Sequence, residues 1–183
     1  TRLLVPEEYD FTIFWNNRAL LRKRVGDIME AHNLFHEKLS KRGVSTLLIL
    51  KSIPGPKDQE AVDFLSHKNL FPESPLVVLS NHYNIQDMNY FYNLADITCN
   101  FSYNEGFGMS ISESLMAGVP VTVSQTGGLP EQVIGEREIF GKVVRPAARC
   151  LFGGGVGEVP HIYADFVSVQ GMVDAWYHMF QLK

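Results

Sequence analysis

A chain of 183 residues with 45% hydrophobic and 20% charged side chains can bury a core as one domain, which excludes intrinsic disorder. A net charge of −4 and a pI near 5.8 argue against nucleic acid as the main partner, since phosphate-reading surfaces are basic, yet leave room for one small basic pocket. Cys99 and Cys150 lack CxxC spacing and read as reduced, mostly buried thiols. No apolar run approaches the ~18–20 residues of a membrane span, and no signal-peptide pattern opens the chain. Residues 1–8 read as linker-like, and the start at Thr1 without Met is expected of a piece cut from a longer chain.

Tyr9 to Trp15 is a short β-prone run. Residues 22 to 41 carry Val25, Ile28, Met29, His32, Phe35 and Leu39 at helical spacing, and Gly43 ends the pattern. Val44 to Leu50 is apolar almost throughout, as in a strand buried on both faces. Pro54-Gly55-Pro56 is a loop, and residues 57 to 70 look helical. Leu76 to Leu79 reads as a strand, Gln86 to Leu94 as a short helix and Asp96 to Phe101 as a strand. A helix over 109–117 ends at Gly118-Val119-Pro120, a Gly cap followed by a Pro that cannot continue it. Val119 to Ser124 is a strand, Pro130 to Ile134 a short helix and Phe140 to Val144 the last strand. Residues 146–164, with the run Gly153 to Gly157, read as an irregular loop. Phe166 to Phe180 closes the chain as a helix.

Strand and helix alternate throughout. The expectation is a single α/β domain over 1–183, a Rossmann-like doubly wound parallel sheet of about six strands with helices on both faces. Ligands of such sheets bind beyond the carboxyl ends of the strands, which directs attention to loops 15–24, 51–56, 80–86, 101–109 and 124–131.

The loop Phe101-Ser-Tyr-Asn-Glu105-Gly106-Phe107-Gly108-Met109 runs from a strand into a helix, and seven residues separate Glu105 from Glu113. Gly106 and Gly108 let the backbone approach a ligand. The amides of Met109, Ser110 and Ile111 are expected free at the helix N-terminus, aimed at an anion. Two carboxylates flanking bare backbone and a positive helix end suit a molecule built of hydroxylated ring, diphosphate and hydroxylated ring. A competing reading makes Ser110-Ile-Ser-Glu113 a capping box. Arg18, Arg22, Lys23 and Arg24 oppose the dipole of the helix they precede, so helix stability does not explain them. Arg18 and Lys23 suit phosphate, whereas Arg22 and Arg24 read as surface charges. Gly127-Gly128 forms a tight turn before Pro130-Glu131.

Glu105-Gly-Phe-Gly-Met-Ser-Ile-Ser-Glu113 through Pro120, followed by Gly127-Gly128 and Glu131, resembles the E-x7-E signature of GT-B retaining glycosyltransferases of the group 4 type. Arg18 and Lys23 resemble that group's Arg…Lys pair, and Tyr92 to Asp96 its segment before the signature. The resemblance covers about residues 9 to 180 and identifies the chain with the donor-binding half of the fold. It implies that Glu105 holds donor-sugar hydroxyls. It places the backbone of Gly106, Phe107 and Gly108 on the sugar, that of Met109 and Ser110 on the diphosphate, and Glu113 on the ribose. Arg18 and Lys23 would neutralise the departing diphosphate, and the base would lie near residues 80–86. No metal and no other cofactor is implied, because the cations and the helix end take that role and no Asp-x-Asp motif is present.

The implied partners are an NDP-sugar donor and an N-terminal GT-B domain carrying the acceptor site. The implied location is cytoplasmic, or peripheral at a membrane through that other domain, and this half alone is expected to be inactive. A non-catalytic nucleotide-sugar-binding module and half of a GT-B-like epimerase stay open as alternatives. A dinucleotide oxidoreductase is disfavoured, since Trp15-Asn-Asn-Arg18 stands where a Gly-rich fingerprint belongs.

Overall fold

The computed structural model describes residues 8–53, 68–135, 138–152 and 162–183. Six parallel strands form the sheet: β1 (Phe11–Asn16), β2 (Thr46–Lys51), β3 (Leu76–Leu79), β4 (Ile97–Asn100), β5 (Val121–Ser124) and β6 (Gly141–Val144). Their spatial order is β3-β2-β1-β4-β5-β6. β1 is central, and its sequence Phe-Thr-Ile-Phe-Trp-Asn is buried from Phe11 to Trp15, as a strand covered on both faces requires.

The pleat sends alternate residues of β1 to opposite layers. Phe11, Ile13 and Trp15 join a core with α1 (Val25–Ser40) and the C-terminal helix. Phe14 joins Leu47, Ile49, Phe91 and Tyr92 on the other face, beneath α2 (Ile85–Leu94). α3 (Met109–Met116) and α4 (Leu129–Val133) add Ile111, Leu129 and Val133 to a third cluster over Val121 and Val123. The expected six-stranded, doubly covered sheet is therefore present. Among the described residues no helix is long and apolar enough to cross a membrane.

The C-terminal part differs from expectation. β6 is not the last strand. Within the supposed loop 146–164, β7 (Ala148–Phe152) and β8 (Ile162–Phe166) pair antiparallel as a separate ribbon. Burial along Ile162–Phe166 does not alternate, since Ala164 and Asp165 are both buried, and the strand follows a glycine run that reads as loop, so periodicity does not mark it. The final helix, α5 (Val169–Leu182), consequently begins after β8, with Ser168 as its N-cap. Residues 153–161 and most of the expected helix over 57–70 lie outside the described residues; 68–70 are helical. Cys99 is buried as expected, but Cys150 on β7 is exposed.

His32 is fully buried on the inner face of α1, where its ring meets Ser74 Oγ at 2.7 Å and Thr46 Oγ1 at 3.2 Å. Burial, assisted by His36, pushes its pKa down to about 3. The folded state thus favours the neutral ring, and between about pH 6.5 and 3 the unfolded chain binds one proton more. Stability should be complete above pH 6.5 and fall as pH drops, by up to about 1.4 kcal/mol per pH unit from this group. Denaturant midpoints measured from pH 7 to 4 on the wild type and on His32→Gln should diverge, the wild type falling more steeply. Parallel curves would show that His32 is not the proton-sensitive group.

Candidate functional site

Strand order reverses between β1 and β4, so the segments leaving their carboxyl ends part and open a crevice at the switch point. The segment after β1 is tethered to the end of β2: Asn17 N donates to Lys51 O at 3.2 Å, and Ala19 N to Ser52 Oγ at 2.9 Å. A 3-10 turn, Leu21–Lys23, follows, and Arg24 adopts a left-handed conformation (φ 56°) that turns the chain into α1. This is an uncommon place for a non-glycine residue, and tertiary contacts hold it. The buried Arg24 guanidinium bonds Asp27 Oδ2 at 2.7 Å and Val167 O at 2.6 Å and lies over the Tyr103 ring. The expected surface role of Arg24 is thereby corrected: it is an internal strut, and α1 begins only at Val25.

Arg22 departs from expectation too. Its Nη1 donates to Asn104 O at 3.0 Å and to Glu105 Oε2 at 3.2 Å. Lys23, 5% exposed, pairs with the same Glu105 oxygen, and Ser102 Oγ stands 3.5 Å from it. Burial lowers the Lys23 ammonium, opposed by the Glu105 carboxylate. Burial likewise raises the Glu105 carboxyl, but Lys23 and Arg22 outweigh it and hold the group below its ordinary value. Glu105 is thus an ionised carboxylate inside a cationic notch.

The glycines of the following turn support this loop from behind. Gly127 (φ 48°) lies so close that a Cβ there would stand 1.7 Å from Glu105 O. A Cβ on Gly128 would stand 2.6 Å from Gly106 O, which instead accepts the Gly128 amide at 3.1 Å. Gly108 (φ 82°) is the N-cap of α3, and a Cβ there would strike Leu129 Cδ2 at 2.5 Å. Gln132 adds an unforeseen prop, its side-chain amide donating to Phe107 O while its Oε1 accepts Ser112 Oγ at 2.6 Å.

At the start of α3, Met109 and Ser110 are the first two helical residues, whose amides have no intrahelical acceptor. The Ile111 amide, expected free, donates to Gly108 O at 2.9 Å. The capping box is out of register: with Gly108 as N-cap, Ser110 is the second helical residue and Glu113 the fifth. Ser110 Oγ is buried without a partner. Glu113 Oε2 instead accepts Tyr92 OH at 2.5 Å and Asn16 Nδ2 at 3.3 Å, while Asn16 also bonds Tyr92 OH at 2.9 Å. Burial and the Glu113 contact raise the Tyr92 phenol well above its ordinary range, so it remains a donor that orients Glu113.

The crevice encloses about 430 Å³. Of the residues singled out in the sequence, Arg18, Lys23, Glu105, Phe107, Gly108, Met109, Ser110 and Glu113 line it, joined by Asn16, Asn17, Leu20 and Arg22. Gly106 does not; its carbonyl turns back to Gly128. Glu131 lies on the exposed start of α4, away from the lining. A second cleft of about 420 Å³ adjoins the first and shares Asn16 and Glu113. Its other walls are largely apolar (Ile85, Met88, Met116 and Ala117) with Lys51, Asn89 and Tyr92. It lies beside the 80–86 segment, of which only Ile85 lines it.

Residues 75–144 match the protein family described as "Glycosyl transferases group 1". This span holds Glu105, Glu113, Tyr92 and the Gly127-Gly128 turn. Over 65 residues, 35% of the chain, the sequence is 37% identical to a trehalose synthase of Rubrobacter xylanophilus, of which it covers 16%. Among solved structures, the fold resembles a sucrose-phosphate synthase from Thermosynechococcus elongatus (TM-score 0.68, 16% identity, 97% of this chain and 37% of that one). It also resembles an α,α-trehalose 6-phosphate synthase from Burkholderia multivorans (TM-score 0.69, 12% identity, 94% of this chain and 36% of that one). The chain spans little more than a third of the length of these solved relatives.

Sequence reasoning missed Tyr92, Gln132 and Asn16 as parts of the site, because no local pattern relates them to the loops they hold. The discarded capping box yields a test. Glu113→Ala should weaken affinity for a nucleoside diphosphate, the ligand expected from the sequence, by about tenfold, about 1.4 kcal/mol. Its melting temperature should move by no more than a few degrees. A large stability loss with unchanged affinity in calorimetry would return Glu113 to a structural role.

Proposed function

We propose that this chain is the donor-binding domain of a retaining, metal-independent glycosyltransferase that transfers a sugar from a nucleoside diphosphate sugar. The observation that carries the reading is the crevice itself. Arg18, Lys23, Glu105, the first amides of α3 and Glu113 converge at the switch point, within or beside the span that matches the glycosyl transferase family.

The chemistry divides along that crevice. The bonds Glu105 receives from Lys23 and Arg22 both end on Oε2, leaving Oε1 to accept a hydroxyl of the donor sugar. The amides of Met109 and Ser110 and the positive end of α3 receive the diphosphate. Arg18 and Lys23 stabilise the charge that gathers on that diphosphate as its bond to the anomeric carbon breaks, the electrostatic role a divalent ion plays elsewhere. Glu113, oriented by Tyr92 and Asn16, accepts from the ribose hydroxyls, and the apolar cleft beyond it takes the base. The E-x7-E resemblance supports retention of configuration. The acceptor site belongs to a second domain, which fits the fraction of the relatives that this chain spans, and the location that goes with this reading is cytoplasmic or peripheral at a membrane.

Calorimetry with UDP, GDP and ADP in the presence of EDTA should show binding of at least one; silence with all three would sink the proposal. The 183-residue chain supplied with sugar donors of whichever nucleotide it binds should neither transfer nor release sugar at an enzymatic rate. Robust turnover by this chain alone would show that no second domain is needed.

A further inference from the structure

The β7–β8 ribbon contributes no lining residue to the crevice, yet it is bonded to both loops that shape it. Asp165 on β8 is 4% exposed, and its backbone amide donates to Tyr103 O at 2.7 Å. Its Oδ2 accepts the Thr126 hydroxyl at 2.8 Å, and the same hydroxyl lies 3.3 Å from Tyr103 O. Arg149 on β7 closes the carboxylate from the outside, with Nε 2.6 Å from Oδ1 and Nη2 3.2 Å from Oδ2. The neighbouring Phe166 packs its ring on Tyr103 with centroids 4.2 Å apart.

Tyr103 is two residues before Glu105, and its amide donates to Arg22 O at 2.8 Å. Thr126 immediately precedes Gly127-Gly128, whose backbone presses on Glu105 and Gly106. Asp165 therefore joins the ribbon to both loops: its carboxylate holds Thr126 in the turn, and its backbone amide holds Tyr103 in the Glu105 loop, which the Thr126 hydroxyl also approaches. An apolar residue at position 165 would pack there without the desolvation cost of a charge, but it could accept neither the Thr126 hydroxyl nor Arg149. What the carboxylate adds is direction: two side-chain donors arrive at fixed angles, where apolar packing would leave ribbon and loops free to slide.

We propose that Asp165 is a positioning residue that, through Thr126 and Tyr103, holds the 103–108 loop in the geometry that receives the diphosphate sugar. The ligand part of this rests on the donor-binding reading; the brace itself does not. Thr126→Val removes one hydroxyl at nearly constant shape, and Thr126→Ser restores it. In the 183-residue chain, Thr126→Val should quicken amide hydrogen exchange over residues 103–108 by about tenfold, while β1, β2 and α1 exchange as in the wild type. Affinity for whichever of UDP, GDP and ADP the wild type binds should fall about fivefold. Thr126→Ser should restore both values, and Asp165→Ala should exceed Thr126→Val in both. Wild-type exchange over 103–108 in Thr126→Val and Asp165→Ala would overturn the brace. Faster exchange with unchanged affinity would overturn the positioning role, as would quickening spread evenly over β1, β2 and α1. Should the wild type bind none of the three nucleotides, the donor-binding reading and the ligand half of this proposal fall together, while loop exchange still decides the brace.

Discussion

β1 lies between β2 and β4, and the chain winds outward from it first on one side and then on the other. Two neighbouring strand ends therefore send their backbones apart, leaving a gap that no element of the sheet fills. The gap is polar because strand carboxyl ends feed helix N-termini, where amides lack intrahelical acceptors. The layers beneath serve to hold that gap at a fixed width. Large side chains on both faces of β1, such as Phe14 below α2 and Trp15 beside α1, anchor the strand whose end forms one lip.

Charge is distributed within the crevice under the same constraint. Taking Lys23 and Glu105 out of water is costly for each alone, and each offsets the other's desolvation by standing against it. Arg22, partly solvated, adds to the pair from the rim. Across the crevice Arg18, Arg22 and Lys23 face two carboxylates, Glu105 and Glu113, so cations exceed anions by one. On the donor-binding reading proposed above, a diphosphate would meet Lys23 and Arg22 already held by Glu105 rather than gathered from solvent.

Much of this could be read from the sequence. The strand-helix alternation and the glycine-rich passage from β4 into α3 are local patterns, and they placed Glu105, Arg18 and Lys23 on loops and Glu113 in the first turns of a helix, all at one end of the sheet. What escaped depends on contacts between distant segments. Tyr92 and Glu113 stand 21 residues apart, and Thr126 and Asp165 stand 39 apart. Neither pairing leaves a periodicity. Arg24 was misread because a cation in a basic run looks solvated, and only its left-handed backbone together with the carbonyl of Val167 shows otherwise. The β7–β8 ribbon was hidden because its strands are short and the burial of β8 does not alternate.

The fit of Gly127 and Gly128 against the Glu105 loop has a consequence for how such a site decays. At both positions an added methyl group would meet main-chain atoms, 1.7 Å and 2.6 Å away, rather than the pliable end of a side chain. No change of rotamer can absorb that collision, so one of the two backbones must move. A single alanine at either position, though outside the crevice, would shift either the turn itself or the Glu105–Gly106 backbone it presses on. A descendant of this chain could thus keep every charged residue of the crevice and still lose the crevice's shape, the change written only in a glycine that does not line it.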